Sequence, residues 1–256
     1  MNSDGWTDGR PTVGVVGADE ATVAEIEAAV ETPVTSIEPG GSPSVDVVVA
    51  VGESALLSLV RTGSTGPVLP VAIGSGIEDV AVGGLEAAVV DLVDGQFYTT
   101  DRPLLSVDVA GEQYDALMDL MAVTTEPARI SEFAVATKTR GSSRPVDTVR
   151  ADGVVVATSA GTPGYATAAG GPVLEPESSG VAVVPIGPFR IEQTHWVLEL
   201  PASLTVAREE AAVSLLVDDE DVGSVPAHEP IELSWGTPLE LLRTPQSRSP
   251  FAGDVD

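Results

Sequence analysis

A glycine-rich segment at residues 152–176, DGVVVATSAGTPGYATAAGGPVLEP, combines residue types that can hold a phosphate or a ribose. The mostly apolar residues at 154–158 predict a buried strand, which runs into a turn containing Gly161 and Gly164. Such a turn exposes backbone N–H groups and hydroxyls at the start of a helix, where an anionic group can approach closely. The alternative is a glycine-rich connection that closes a β-layer, and spacing alone does not decide between the two.

A second candidate lies at residues 51–55, VGESA, between two predicted elements. The apolar run at 45–51 is typical of a strand covered on both faces, and residues 53–61 have the spacing of a helix. Glu53 then carries its carboxylate in the first turn, where the helix dipole favours negative charge. Taken by itself, the pattern describes an ordinary strand–turn–helix junction.

The glycine-rich segment resembles a motif of the NAD kinase family, D-G-(apolar)3-S-T-P-T-G-S-T-A-Y-S-x-S-A-G-G-P. Residues 181–188, VAVVPIGP, are similar to a following I-x-P-I-x-P stretch of that family. The nine positions that match the first motif are Asp152, Gly153, Thr158, Gly161, Tyr165, Ala169, Gly170, Gly171 and Pro172. The resemblance implies an α/β N-terminal domain with a Rossmann-like parallel sheet, a β-rich C-terminal domain, and NAD bound between them.

The resemblance also implies roles for single residues of this segment. Asp152 matches an acid near the nicotinamide half of NAD, and Tyr165 matches an aromatic residue that lines the substrate pocket. Gly161 matches a glycine of the motif, and Thr162 takes the place of the hydroxyl that follows it. Several polar contacts of the family are replaced in this chain, at Pro163, Ala166 and Ala168, and Gly164 takes the place of an alanine.

The family's phosphate loop, G-G-D-G-T, corresponds to residues 51–55 of this chain. In the family its glycines let backbone N–H groups approach ATP, and its Asp takes the proton from the ribose 2′-hydroxyl. Gly52 is the glycine that is retained, and Glu53 replaces the Asp with a carboxylate one methylene longer. The β-carbons of Val51 and Ser54 are expected to hinder positive φ and close approach to phosphate.

The same comparison places a serine, Ser58, where the family has a basic residue, and the nearest arginine, Arg61, follows one turn later. Two interpretations of residues 51–55 stay open: an altered catalytic loop, and an ordinary junction. A third family motif, Asn-Glu, corresponds to Ser131–Glu132 and implies that Glu132 contacts the adenosine part of NAD. The alternative for Glu132 is a solvated charge on a strand.

The implied activity is phosphoryl transfer from ATP, or from another phosphate donor, to NAD, with Mg²⁺ as the metal. Members of the family are typically homodimers or homotetramers, so either assembly is expected. A catalytically inactive paralogue that binds a dinucleotide and regulates a partner is the alternative function. A shift toward another diphosphate or lipid substrate is a third possibility, which no residue specifically favours.

The elements that position these residues change character near residue 95. Alternating strand and helix patterns over residues 11–94 predict a parallel α/β sheet, and short β-rich runs with Gly, Pro and acidic turns follow. Residues 113–124 interrupt the β-rich runs with helical spacing, so a helix is predicted there. We expect an α/β domain at 11–100, a β-rich domain at 101–243 and an irregular tail at 244–256.

Charge argues against two classes of partner. The chain has 39 acidic and 12 basic residues, and Lys138 is its one lysine. Binding to nucleic acid or to an anionic membrane normally depends on basic side chains, so neither partner is expected. The same composition is typical of proteins from organisms that keep molar salt inside the cell, which predicts a salt-adapted protein.

A zinc site is not expected either, because the chain lacks cysteine and has two histidines, His195 and His228, and no residue is predicted as a metal ligand. His195 beside Trp196 is typical of a packed pair, and the acidic run 218–221 predicts a solvated hairpin turn rather than a calcium loop. Apolar runs are far shorter than the roughly 20 residues that span a bilayer. The polar start has no pattern of a secretory signal, so a cytoplasmic location is expected.

Overall fold

The structure is a computed structural model that describes residues 6, 9–41, 44–64, 66–74, 76–126, 129–139, 142–189 and 194–250. The chain divides into two compact units. The first unit runs to Arg102 and resumes at Pro238, and the second unit is Pro103–Thr237. Within the described part of the chain, no helix is both long enough and apolar enough to cross a membrane.

The first unit contains a mixed sheet with three α-helices. Along the chain its elements are β1 (Val13–Val16), α1 (Glu20–Ala29), β2 (Val34–Ile37), β3 (Val47–Val51), α2 (Glu53–Arg61), β4 (Val68–Val71), β5 (Asp79–Val80), α3 (Leu85–Val93) and β6 (Tyr98–Arg102).

The second unit is almost entirely β-structure. Its strands are β7 (Leu105–Val109), β8 (Glu112–Ala116), β9 (Asp119–Thr124), β10 (Ser131–Thr139), β11 (Ser142–Ala151), β12 (Gly153–Ala157), β13 (Gly180–Ile186), β14 (Trp196–Glu199), β15 (Ala202–Arg208), β16 (Val213–Val217), β17 (Glu220–Ser224) and β18 (Pro230–Trp235). The chain then adds β19 (Leu239–Arg243) and β20 (Ser247–Arg248) to the first unit.

The sheet of the first unit has the strand order β2-β1-β3-β4-β19-β6, with β5 and β20 beside this path. Strands β1 to β4 pair in parallel, β19 is parallel to β4, and β6 is antiparallel. Every residue of β1 and β4 is buried, as expected for parallel strands covered on both faces. The predicted parallel α/β sheet is confirmed, and helix α2 has the predicted bounds.

Two antiparallel six-stranded sheets form the second unit, in the orders β11-β10-β15-β18-β7-β8 and β14-β13-β12-β9-β16-β17. Their inner faces share one apolar core, to which Phe133 and Leu204 contribute from one sheet and Val154 and Val183 from the other. Buried and partly exposed residues alternate along β7, as expected for a strand with one face on this core. The predicted β-rich region is confirmed.

The predicted helix at residues 113–124 is wrong, because this segment forms β8 and β9. Its apolar residues imitate helical spacing because the first four residues of β9 are all buried, so the strand shows no alternation. Two further differences concern the chain's end. Strand β19 pairs with β4 and β6, although the sequence assigned residues up to 243 to the β-rich domain, and β20 lies within the predicted irregular tail.

Candidate functional site

The order of strands in the first sheet points to one edge as a ligand site. From β1 the chain moves to β2 on one side and then to β3 on the other, so the order reverses between β1 and β3. Open parallel sheets bind ligands outside the carboxyl ends of their strands at such a reversal. Gly17 follows β1 at this edge and Gly52 follows β3.

Gly52 has φ 88° and ψ 152°, a conformation that disfavours any residue with a β-carbon. Its N–H donates to the Val71 carbonyl oxygen at 2.8 Å, and its own carbonyl accepts the N–H of Leu56 at 3.3 Å to begin α2. No side chain caps the start of α2. A β-carbon on Gly52 would have no atom of another residue within 4 Å, so this turn is open on the side of the missing side chain.

The expected hindrance of positive φ at Val51 and Ser54 is wrong, because neither residue has positive φ. The expected hindrance of phosphate approach by their β-carbons stays a prediction. Val51 is the last residue of β3 and pairs with Val71, and Ser54 lies in the first turn of α2. Both backbones are therefore regular structure that accepts a β-carbon. Positive φ within residues 51–55 is needed at Gly52 alone, and that glycine is present.

Gly17 is a functional candidate that the sequence analysis missed. Its φ is +84°, and a β-carbon there would lie 2.3 Å from the Val51 carbonyl oxygen and 2.7 Å from the Ala55 β-carbon. Distances this short exclude a side chain, so Gly17 lets the end of β1 lie directly against the junction of β3 and α2. A glycine immediately after a buried strand is the signal that could have identified it.

Glu53 is exposed on the first turn of α2, so its carboxylate is accessible from solvent. Ser58, which stands where the family has a basic residue, is only 4% exposed. Its hydroxyl donates to the Ala55 carbonyl oxygen at 2.7 Å within the helix. Ser58 therefore packs inside the unit, and a basic residue at its position would place a charge in the core. Arg61, in the last turn of α2, is exposed.

In the second unit, the turn after β12 is anchored to residues 117 and 118 between β8 and β9. The Thr158 N–H donates to the Met118 carbonyl oxygen at 2.9 Å, and the Thr158 hydroxyl lies 2.6 Å from the Leu117 carbonyl oxygen. A β-carbon on Gly161 would lie 2.1 Å from the Met118 carbonyl oxygen. Gly161 is thus required by the close approach of two backbone segments.

Thr162 begins a π-helical turn, Thr162–Ala166, and is completely buried. Its hydroxyl donates to the Ser159 carbonyl oxygen and accepts the N–H of Leu174, each at 3.0 Å. The hydroxyl therefore connects both ends of the loop and has internal partners. Tyr165, three residues later, is 60% exposed, so the loop presents this ring outward.

Asp152 lies between β11 and β12 and is exposed. Gly187 approaches it so closely that a β-carbon on the glycine, which has φ +57°, would lie 2.4 Å from an Asp152 carboxylate oxygen. The Asp152 N–H donates to the Ile186 carbonyl oxygen at 2.9 Å and joins the two segments. Gly187 was not predicted as a site residue, although its place between Ile186 and Pro188 marks a turn.

Glu132 occupies an inner strand, β10, between two arginines. Its cross-strand partners are Arg150 on β11 and Arg208 on β15. Both arginines lie near Glu210, at 3.8 Å and 3.4 Å between the guanidinium and carboxylate atoms. Opposite charges on neighbouring strands attract one another, so this cluster is consistent with the interpretation of Glu132 as a solvated charge.

The predicted residues of the second unit therefore form two groups rather than one. Asp152 precedes β12, whereas Gly161, Thr162 and Tyr165 follow it. The five residues of β12 span roughly 15 Å at about 3.3 Å per residue. Glu132 belongs to the group of Asp152, because Ser131 pairs with Ala151 at that end of the strand.

Among the described residues, no group of three or more His, Cys, Asp or Glu side chains could hold a metal ion. The acidic hairpin at residues 218–221 does connect β16 and β17 as predicted. Asp218 itself is only half-exposed and contacts backbone N–H groups, so the prediction of a solvated turn is wrong for this residue.

Comparison with known proteins supports the same conclusions about the fold. Residues 119–233 match the family model described as the ATP-NAD kinase C-terminal domain. An NAD kinase of Methanosarcina acetivorans is 29% identical over 209 residues, covering 78% of this chain and 72% of the relative. An NAD kinase of Methanosarcina barkeri is 28% identical over 190 residues, or 71% of this chain and 67% of the relative. The alignment with an NAD kinase of Methanopyrus kandleri covers 57% of that relative.

Two solved structures share the fold. An NAD kinase from Archaeoglobus fulgidus in complex with ATP has a TM-score of 0.71 at 24% identity, covering 92% of this chain and 94% of the other. A yeast NADH kinase complexed with NADH has a TM-score of 0.76 at 15% identity, covering 94% of this chain and 85% of the other.

Proposed function

We propose that this chain, which belongs to the NAD kinase family, transfers the γ-phosphoryl group of ATP to the 2′-hydroxyl of NAD, giving NADP and ADP. The observation that carries the proposal is the conformation of Gly52, whose φ of 88° forms an open turn between β3 and α2. The altered residues around it, Val51 and Ser54, lie in regular structure. The changed sequence therefore leaves the strand–glycine–helix geometry in place.

We propose that the start of α2 binds the phosphates of ATP. The first N–H groups of a helix have no partner within the helix, and the helix dipole favours an anion beside them. In this chain no side chain caps that end, and Gly52 leaves open space before it. Both features suit a phosphate group that approaches the backbone directly.

Glu53 is the proposed general base. Its carboxylate would take the proton of the ribose 2′-hydroxyl as that oxygen attacks the γ-phosphorus, and the bond to the bridging oxygen of ADP would break. The side chain is exposed on the first turn of α2 and is one methylene longer than aspartate. A displacement of about 1 Å can cost roughly a hundredfold in rate, so we expect slower turnover than from an aspartate at the same place.

The proposed contacts to NAD come from the second unit. Asp152, Glu132 and Tyr165 keep accessible side chains, and we propose that they contact the dinucleotide. For Gly161 and Thr162 we propose a different role, because both are buried and hold the turn together. These two residues would shape the pocket without touching the substrate through their side chains.

We propose that Mg²⁺ binds together with ATP and is not held by the protein in the absence of the nucleotide. Protein sites for Mg²⁺ commonly use one or two carboxylates together with substrate phosphates. The described residues offer no carboxylate cluster that would hold the ion alone. The phosphates of ATP would therefore supply most of its ligands.

A homodimer or homotetramer and a cytoplasmic location stay predictions. The two groups of candidate residues, at opposite ends of β12, can serve one dinucleotide within a chain or across two copies of it. Light scattering coupled to size-exclusion chromatography, in molar potassium chloride and in dilute buffer, would give the mass of the assembly. It would also test the predicted adaptation to salt.

The experiment that tests the function is a measurement of NADP formation from NAD, ATP and Mg²⁺ in molar potassium chloride. Calorimetric titration of NAD into the same preparation is its companion. Turnover supports the kinase. The inactive-paralogue alternative gains no support from the relatives, which are NAD kinases by name; binding of NAD without turnover would revive it and contradict the proposal.

A further inference from the structure

Asp218 holds a turn that lies about 100 residues away along the chain. It follows β16 with φ 51°, a left-handed conformation that is unusual for a residue other than glycine. One of its carboxylate oxygens accepts the N–H of Leu117 at 2.9 Å. The other accepts the N–H groups of Met118 at 2.8 Å and Asp119 at 3.1 Å.

The environment of this carboxylate is unfavourable for a charge. Burial raises the pKa of Asp218 above its ordinary value, while the three N–H groups act in the opposite direction by stabilising the carboxylate. Even partial removal of a carboxylate from water costs free energy unless the group is hydrogen-bonded. The three N–H groups provide those bonds, so the side chain and the turn at residues 117–119 depend on each other.

The same turn supports the loop that carries Tyr165. Its three N–H groups donate to the Asp218 carboxylate, and the carbonyl oxygens of Leu117 and Met118 face Thr158. The Thr158 N–H and hydroxyl lie 2.9 Å and 3.0 Å from the Met118 oxygen. The Met118 oxygen is also the atom that a β-carbon on Gly161 would meet. Residues 117–119 therefore lie between Asp218 and the start of the loop and contact both.

We propose that Asp218 is a positioning residue for the NAD pocket, acting through residues 117–119 on the loop 158–166. This proposal rests on the proposed function, because it assumes that Tyr165 contacts NAD. Asp218 itself would not touch the substrate. Its carboxylate would fix the position and orientation of the peptide groups that Thr158 and Gly161 contact.

Hydrogen exchange measured by mass spectrometry on the full chain tests the coupling without any ligand. In Asp218→Asn, one acceptor oxygen becomes an NH₂ group that cannot accept an N–H. We expect amides at 117–119 and at 158–166 to exchange faster, on the order of tenfold. Asp221→Asn is the matched control on the same hairpin, where the carboxylate accepts the N–H of Gly223, and it should leave both segments unchanged. Faster exchange confined to 117–119 would overturn the proposal.

Thr158→Val tests the same contact by changing the loop instead of Asp218. It also controls for a general loss of folding in the Asp218 variant. It removes the hydroxyl and leaves Asp218 with its three partners. We expect faster exchange at 158–166 while 117–119 stays protected. Unchanged exchange at 158–166 would show that the loop does not depend on residues 117–119, which contradicts the proposal.

Kinetics separate positioning from a purely structural effect. A displaced pocket loop should raise the KM for NAD on the order of tenfold with kcat changed less than about twofold, because binding is weakened and the reacting groups are untouched. A fall in kcat at constant KM would contradict the assignment to the NAD pocket. If the parent chain forms no NADP, the proposed function fails, and the exchange measurements decide the positioning role by themselves.

Discussion

The junction of β3 and α2 in the first unit and the turn after β12 in the second differ in what their residues are needed for. At the junction, Glu53 and Ser54 are exposed, and a single glycine is required by the backbone. In the turn, Thr158, Gly161 and Thr162 are buried and bonded to neighbouring backbone. A motif in the turn is therefore maintained by packing, whereas a motif at the junction can change without disturbing the fold.

This contrast explains why the resemblance to the NAD kinase family is strong in one segment and weak in the other. Matches in the turn fall on residues such as Gly161, whose replacement would force backbone atoms apart. Departures at the junction fall on Val51 and Ser54, where strand and helix accept any β-carbon. The altered loop is thus compatible with the proposed activity, and four substitutions test the contrast.

The largest expected effect is that of Gly161→Ala. Its β-carbon would lie 2.1 Å from the Met118 carbonyl oxygen, so two backbone segments would have to separate. We expect a loss of about 3 kcal/mol in the free energy of unfolding, measured by denaturant titration in potassium chloride. Gly66→Ala, where a β-carbon meets nothing within 4 Å, is the control and should change little. Equal stability of the two variants would contradict the claim that packing requires a glycine at residue 161.

Gly52→Ala comes next, because alanine disfavours φ 88° at the junction. We expect a loss of about 2 kcal/mol in stability and a large fall in kcat/KM for ATP. Gly111→Ala is matched, since Gly111 has φ +86° and equally open surroundings in a hairpin of the second unit. That control should lose similar stability and keep its activity. Equal loss of activity in both variants would mean that Gly52 has no special place in the site.

Thr162→Val is expected to be milder. It leaves the N–H of Leu174 and the carbonyl of Ser159 without their hydroxyl partner in a buried loop. The stability should fall by about 1.5 kcal/mol, and Thr162→Ser should restore most of it because the hydroxyl is kept. Thermal unfolding followed by circular dichroism provides the comparison. A serine variant as unstable as the valine variant would assign the effect to the methyl group instead.

Val51→Gly should have the smallest effect, although it restores the glycine of the family's loop. Val51 is an extended strand residue, so glycine there adds flexibility and no new conformation. We expect about 0.5–1 kcal/mol of lost stability and a change in kcat/KM below about twofold. A large gain in activity would show that the β-carbon of Val51 does obstruct phosphate, and it would contradict this prediction.

The sequence was informative where one local pattern determines the structure. Residues 53–61 have helical spacing after a buried strand, and α2 has these bounds. Residues 119–124 were not predictable in this way, because a strand buried on both faces carries no alternation. The pairing of strand β19 was not predictable for a different reason: its partners β4 and β6 lie far away in the chain, and no local pattern records such pairing.

The site was predictable to a similar extent. Family motifs pointed to the loop residues and to the glycine after β3, and the structure gives this glycine positive φ. Burial was not predictable. The sequence suggests that the Thr162 hydroxyl contacts a ligand, yet both hydrogen bonds of this hydroxyl are made to backbone groups of the protein. Close contacts between backbone segments were not predictable either. Gly17 and Gly187 must be glycine because residues distant in the sequence lie against them.

The central claim, that residues 51–55 still support phosphoryl transfer with Glu53 as the base, is tested most directly by NADP formation in Glu53→Gln. Glu86→Gln is the matched control, because Glu86 is an exposed acid in the first turn of α3. We predict that Glu53→Gln loses on the order of a hundredfold or more in kcat while still binding NAD, and that the control keeps full activity. Full activity of Glu53→Gln, or a parent chain that forms no NADP, would contradict the account.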